Sequence, residues 1–365
     1  MARNRVIYQS EALYVSEDAL STTAVKHESL ERVQSANYSF NISRQDVNQF
    51  GQLGKVGSMV LEAPTVSMDT SYLLTDGFNE RALGFYVGTG TNATSGSFIS
   101  GHLADGSGRN FYISTVGEGV DATGVALDSS HDVIGIGNTY LTDYTLDLSV
   151  GSLPTVSVSF EAANINSTAG GSTTLPSVDQ AAGTAKTDAV TLPNANSGDS
   201  NLMALRPGDI NVNISSLDGS TIVDLAPDLA ADAAHIQSAS LSIPLSRSPL
   251  ERLGTKYAYA RSVDFPIQAT LSVNAIVNEL TSKNLSTIID DDSGYNVTLI
   301  LNNEAGTAAM KYEIKGAQIQ SESFSSSIGS NKSVDLTFAT SIGGPNDLLN
   351  GVFVSGANSD EVFSA

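Results

Sequence analysis

Four histidines, His27, His102, His131 and His235, are the only imidazoles in 365 residues, and no cysteine accompanies them. They fall in separate segments, without the spacings that bring metal ligands together on one face. The chain holds no H-E-x-x-H, no P-loop and no G-x-S-x-G elbow. Lacking cysteine, it has no thiolate nucleophile, no thiolate metal site and no disulfide. Gly117-Glu118-Gly119-Val120-Asp121-Ala122-Thr123-Gly124 approaches a dinucleotide fingerprint, but its last glycine falls two places late and no βαβ pattern surrounds it. Asp290-Asp291-Asp292-Ser293-Gly294 has the acids of a calcium loop without the closing glutamate. Both read as turns. The expectation is a chain with no catalytic residue, no metal site and no cofactor, hence not an enzyme.

The bases suggest a different chemistry. Eighteen Lys and Arg face 39 Asp and Glu, a formal net charge of −21. That balance argues against a broad basic face for gripping nucleic acid. Against it stand Arg44 and Arg247, each following an alternating run and opening a polar, charged stretch. The stretch after Arg44 holds Asp46, Gln49 and Lys55; the stretch after Arg247 holds Glu251, Arg252 and Lys256, with Arg261 close behind. An arginine at a strand exit can hold a carboxylate of a neighbouring chain bidentately, or pin its own loop through an intrachain salt bridge. The sequence leaves both open.

The elements that carry these residues alternate with period two. Ala36, Tyr38, Phe40 and Ile42 fall on one side of a strand, with Gln34, Ser35, Asn37, Ser39 and Asn41 around and opposite them. The same pattern recurs as Ala239, Leu241, Ile243 and Leu245, among Gln237, Ser238, Ser240, Ser242 and Ser246. Val66 and Met68, and Tyr144, Leu146, Leu148 and Val150, alternate likewise. Such runs imply antiparallel sheet with one face buried and one face of small hydroxyls and acids meeting water or a polar cavity. The composition, 41% hydrophobic with Ser, Thr, Asn and Gly as filler, suits a mainly β chain with many turns.

The two patterns are in register. Residues 34–44 match 237–247 at an offset of 203 (237 − 34), which also pairs Gly51 with Gly254 and Val60 with Val263. A later pair, 149–160 and 327–338, keeps an offset of 178 (327 − 149). The 25-residue difference (203 − 178) fits extra chain at about 88–138. Two blocks recurring in the same order point to tandem duplication. The expected organisation is a first domain at 1–165, a Gly/Ser/Thr-rich linker or arm at 166–204, a second domain at 205–345 and a C-terminal arm at 346–365. Helical patterns are few: 228–234, 278–285 and 345–349. The second copy is expected to start at 206–212, matching a first strand at 5–8. The basic start leads into no apolar signal region, and no apolar run reaches the about 18 residues of a membrane helix. Synthesis in the cytoplasm of a host, with no membrane partner, is the expectation.

The blocks RVQSANYSFNISRQDVNQFGQLGKV, YTLDLSVGSLPTVSVSFEAANI, LRPGDINVNI and HIQSASLSIPLSRSPLERLGTKYAYARSVDFPIQATLSV together resemble tail tube (major tail) proteins of tailed bacteriophages. The resemblance implies two tandem tail-tube-like β-sandwich or split-barrel domains, each with a short flanking helix and a long inter-strand loop. It further implies homotrimer rings of pseudo-sixfold symmetry, stacked into a tube in the virion. Other tail proteins (terminator, tape measure, baseplate) would be partners, and DNA would pass transiently without specific binding. Carried over by position, 44–58 and 247–262 are the ring-stacking loops, and 34–43 and 237–246 are inner-sheet strands. Three chains would bring a formal charge of −63 (3 × −21). An acidic, hydroxyl-lined channel would repel phosphates, whereas a basic one would retain them by counterion release. The rival readings are a β-sandwich binding module (adhesin, receptor-binding or decoration protein), a hub or terminator of the same fold, and, least supported, an acidic β-rich hydrolase.

Overall fold

A computed structural model describes residues 11–18, 26–61, 65–89, 96–103, 108–117, 119–123, 131–169, 173–195, 210–216, 221–225, 235–276, 294–302, 308–325, 333–344 and 347–356. The helical patterns at 228–234 and 278–285, the strand expected at 5–8 and the acidic run at 290–293 lie outside these residues. The third helical pattern, at 345–349, is corrected. Its described residues, 347–349, are not helical but belong to a turn, in which Asp347 Oδ1 accepts from the backbone N–H of Leu349 at 3.0 Å. An Asp followed by leucines reads as a helix start, but the carboxylate closes a local turn instead.

The fold is mainly β. A front sheet of eight antiparallel strands runs, in spatial order, Val33–Asn41, Thr65–Leu73, Thr155–Ala162, Asp132–Ser149, His235–Pro244, Ile267–Ile276, Ser333–Ile342 and Ala308–Ser325. Two further sheets lie behind it. One orders His27–Ser29, Glu11–Glu17, Arg109–Thr115, Asp132–Ser149 and Asn164–Ala169. The other orders Thr221–Leu225, Ile210–Ser216, Tyr295–Asn302, Ala308–Ser325, Gly351–Gly356 and, in parallel, Gly88–Thr89. The two 18-residue strands, Asp132–Ser149 and Ala308–Ser325, therefore belong to both a back sheet and the front sheet. Gly351–Gly356, beyond the boundary expected at 345, is part of the second back sheet.

Alternation decides what each sheet buries. Front-sheet residues Val66, Met68, Val158, Leu146, Leu241, Leu271 and Leu336 join back-sheet residues Leu13, Phe111, Ile136, Val297, Leu299 and Val352 in one continuous core. Aromatic contacts tie it across the halves: Phe85 stacks on Phe98 at 4.5 Å, Phe98 meets Tyr144 edge-on at 4.9 Å, and the Tyr144 and Tyr312 hydroxyls hydrogen-bond at 3.1 Å.

The pairing scheme of the first half recurs in the second. Ser35↔Ser71 becomes Ser238↔Asn274, and Arg44↔Val60 becomes Arg247↔Val263, both members shifted by 203. Val156↔Leu146 becomes Val334↔Phe324, both shifted by 178. The bulges recur too: one at Val33/Ser35 and Ile236/Ser238, another opposite Ser159/Phe160 and Thr337/Phe338. Arg109–Thr115 and Tyr295–Asn302 correspond at an offset of 186 (297 − 111, paired with Ile136 and Ile314). The 25 extra residues thus divide into 17 before that strand (203 − 186) and 8 after it (186 − 178).

One helix escapes the sequence patterns. Phe78–Leu83 is six residues long, bounded by Gly77 and Gly84, both at φ 99°. A Cβ on Gly84 would overlap the Arg109 guanidinium, so glycine is required there on two counts.

Candidate functional site

The face of the front sheet opposite the core is the chain's most distinctive surface. One row across it reads Ser35, Ser71, Ser157, Thr145, Ser242 and Thr270. A second reads Thr155, Asp147, Ser240, Ser272, Thr337 and Ser321. Asp69, Asp143, Asp147, Glu161 and Asp335 are its acids, and no lysine or arginine occupies a strand position on it among the described residues. Some of its donors are spent within the face. Ser159 Oγ donates to Asp69 Oδ1 at 2.7 Å, Thr145 Oγ1 to Asp143 Oδ2 at 2.9 Å, and Ser240 Oγ to Asp147 Oδ1 at 2.7 Å. Asn274 Nδ2 donates to Asp335 Oδ1, and Arg261 Nη1 reaches Glu161 Oε1 at 2.8 Å from outside the sheet. Ser35 bonds Ser71 and Ser39 bonds Ser67. Where a hydroxyl hydrogen turns onto a neighbouring carboxylate, as at Ser159, Thr145 and Ser240, the oxygen presents acceptor lone pairs. The face is short-chained, hydrated and negative. Ser35, Asn37, Ser39, Asn41, Ser238, Ser240 and Ser242 lie on this face; Gln34 and Gln237 are the extra residues of the matched bulges; Ser246 follows its strand and donates to Asp264.

The sheet also contains a joint between the halves. His235–Pro244 pairs with Asp132–Ser149 from Ser238↔Ser149 to Pro244↔Asp143. Backbone bonds extend it at both ends: Val150 N–H donates to the Gln237 carbonyl at 2.9 Å, and Leu245 N–H to the Thr142 carbonyl at 2.8 Å. There Leu241, Ile243 and Leu245 are buried. Their counterparts at −203, Tyr38, Phe40 and Ile42, sit on or just past the front sheet's terminal strand, where Phe40 is 59% exposed against 0% for Ile243. Alternation marks these as core-facing positions, but among the described residues no strand pairs with the outer edge of Val33–Asn41. The far edge of the same sheet is the 318–325 part of Ala308–Ser325.

Two hairpins project from the strand ends. Among the described residues Arg44–Val47 pairs only with Gly57–Val60, and the hairpin exposes Val47, Phe50, Leu53, Val56 and Met59. Asp46 and Lys55 pair across it at 3.1 Å, both more than half exposed, a contact of little energetic weight. Gln49 lies at its exposed turn. Arg247–Leu250 pairs with Ala260–Val263 and is seated on its own chain. Arg247 lies 4.9 Å over the Tyr140 ring and donates to the His102 and Arg261 carbonyls. The sequence left this arginine a carboxylate across chains or within the chain; its contacts include carbonyls and a ring of its own chain. Arg252 donates to the Gln180 and Ala181 carbonyls, Lys256 lies 5.3 Å from the Tyr257 ring, and Tyr257 packs on Ala163 and Val178. Glu251 is exposed beside them. The stretch rich in Ser, Thr and Ala is therefore a folded arm: Thr173–Thr174 pairs with Ala189–Val190, and Val178–Asp179 with Thr184–Ala185. Leu175, Val190 and Leu192 pack on Tyr14 and Tyr112 of the first back sheet. A cleft of about 470 Å³ opens between arm and hairpin, lined by Asp18, Tyr140, Gln180, Arg252 and Tyr259 among others.

Several titratable groups are buried. Burial pushes the Glu80 carboxyl up to about 7, and Tyr72 Oη donates to its Oε1 at 3.0 Å. Burial holds His27 down at about 4 and, with Arg109 and Arg247 nearby, His102 well below its ordinary range. Among the described residues no group of three or more His, Asp or Glu could hold a metal ion, and no helix is long and apolar enough to cross a membrane.

No protein-family model and no curated protein sequence matches this chain. Solved structures do. The tail of an empty GTA particle, refined with C6 symmetry, aligns at 15% identity over 37% of this chain and 92% of its own, with a TM-score of 0.28. A protein of the sixfold-symmetrised anti-feeding prophage baseplate aligns at 15% identity over 41% and 93%, TM-score 0.27. The Hcp1 protein of E. coli aligns at 8% identity over 40% and 97%, TM-score 0.23. Each is a protein this chain is similar to over less than half its length.

Proposed function

We propose that this chain is a structural subunit of a bacteriophage tail tube, built of two tandem tube-like domains and without enzyme activity. Three copies close head to tail, the strand Val33–Asn41 of each pairing with the 318–325 segment of the next. The single observation behind this reading is the internal joint. One half already flanks the other's strand His235–Pro244, while the matching strand Val33–Asn41 has its outer edge unpaired among the described residues and carries the same core-facing pattern. A bare edge of that kind is an aggregation hazard unless paired. Burying what remains exposed of Tyr38, Phe40 and Ile42, 40%, 59% and 36% of each, would contribute about 1 kcal/mol each, a fraction of the full-burial value, set against the cost of association. Recurrence of ladder registers at fixed offsets supports the duplication, with domains near 1–165 and 205–356 and the arm between them.

Three front sheets give 24 strands (3 × 8). Barrels of about 16–18 strands already leave an aqueous channel, so this one is wider. The hydroxyl and carboxylate face lines it, because the opposite face fills the core. Such a lining passes DNA without holding it, since it supplies no cation to displace condensed counterions. The exposed hairpin tips, Phe50 and Leu253, then meet the adjacent ring in a stacked tube within the virion, with terminator, tape-measure and baseplate proteins at its ends.

Negative-stain microscopy with mass measurement of the purified protein tests this. Rings of three chains that stack are expected; monomers at every concentration would refute it.

A further inference from the structure

We infer that the hairpin 44–60 of one chain seats on the turn 347–350 of the next, with Leu348 and Leu349 filling the place that Ala163 and the arm occupy inside the chain. This rests on the ring reading above, and it concerns a sideways contact distinct from ring stacking. The internal joint is the template. There the second hairpin is held by Tyr257 on Ala163 and by Arg261 on Glu161. Moving the joint on by one half subtracts 203 from the hairpin positions and adds 178 to their seats.

The two sides then change together. Arg261 becomes Ser58 (261 − 203) and Glu161 becomes Ala339 (161 + 178), so the ion pair disappears from both partners at once. Tyr257 becomes Gly54 (257 − 203), so the ring that packs on Ala163 is lost, and its neighbour Lys256 becomes Leu53 (256 − 203), which is fully exposed in the single chain. The seat changes to match. Ala163 alone separates Thr155–Ala162 from Asn164–Ala169, whereas residues 343–350 separate Ser333–Ile342 from Gly351–Gly356. Asp347 Oδ1 accepts from the N–H groups of Leu349 and Asn350, at 3.0 and 3.4 Å, and fixes a turn that presents Leu348 and Leu349 to solvent, the latter 78% exposed. Where the internal joint combines Tyr257 on Ala163 with an ion pair, the external one brings Leu53 to Leu348 and Leu349 with no ion pair at these positions. Two uncovered leucines on one edge and an uncovered apolar hairpin on the other are each other's complement across copies of this chain.

The chain's lack of cysteine makes the test direct. One double variant, Leu53→Cys with Leu349→Cys, reports the seat. A second, Ser39→Cys with Ser323→Cys, reports the strand joint, since it copies the internal pair Ser242↔Thr145. Each is treated with a short bismaleimide under assembly conditions, after its thermal unfolding has been shown to match wild type. Covalent dimers and trimers from both variants, lost on dilution to monomer, are expected. Cross-linking of the Ser39/Ser323 variant alone would overturn the seat and leave the ring intact. No cross-linking in either variant would overturn the ring reading and this inference with it.

Discussion

Glu80 sits in the core of the fold. Its carboxyl is fully buried beside Tyr72, and burial raises it from 4.5 to about 7. Below pH 4.5 the group is protonated in both folded and unfolded chains, and its burial is without penalty from ionisation. As pH rises from 4.5 to about 7 the unfolded chain releases the proton that the fold retains. Stability is lost over that window, by about 3 kcal/mol once the pH is above the folded value. Glu80→Gln is therefore expected to melt with wild type at about pH 4 and above it at about pH 8. Thermal unfolding across that range checks the sign; parallel curves would show that Glu80 does not titrate as its burial dictates. Nothing in the sequence singles this residue out, because its surroundings include Tyr144 and Tyr312, distant along the chain, as well as the nearer Tyr72.

At the scale of elements, identical patterns meet different fates. Ile243→Asp places a carboxylate in the core and is expected to cost more than about 4 kcal/mol, preventing folding or nearly so. Phe40→Asp, at the matching position of the bare edge, is expected to leave the melting temperature of the isolated chain almost unchanged and to abolish oligomers. Light scattering and calorimetry on both variants separate these outcomes; equal destabilisation would mean that Phe40 is core in the single chain. The alternation of Thr65–Leu73, Thr155–Ala162 and Ile267–Ile276 was legible because it reports a face directly. The offsets of 203 and 178 were legible because ladder register transmits sequence spacing into space. What alternation does not encode is which chain covers a face, so Tyr38, Phe40 and Ile42 read as buried. The helix Phe78–Leu83 carries too few residues for a periodic signal and has glycines in place of a side-chain cap. The arm's two-residue ladders are held by the back sheet and by Arg252, contacts that no local pattern records.

For the molecule as a whole, the sign of the lining is the property to change. Asp147→Lys with Asp335→Lys replaces six anions by six cations in a ring of three (3 × 2). Wild-type rings are expected to retain no DNA fragment at low salt, and the variant rings to retain it and release it steeply as salt rises. Co-sedimentation across a salt series checks this; retention by wild type would contradict a passive channel. The two 18-residue strands that serve front and back sheets together have a mechanical corollary. Because one backbone runs through both layers, the inner surface cannot slide against the outer skin without tearing ladder hydrogen bonds. In the proposed tube, a cylinder assembled from such pieces would resist twisting and flattening as a single shell, and a strain imposed within its bore would reach its exterior through covalent chain.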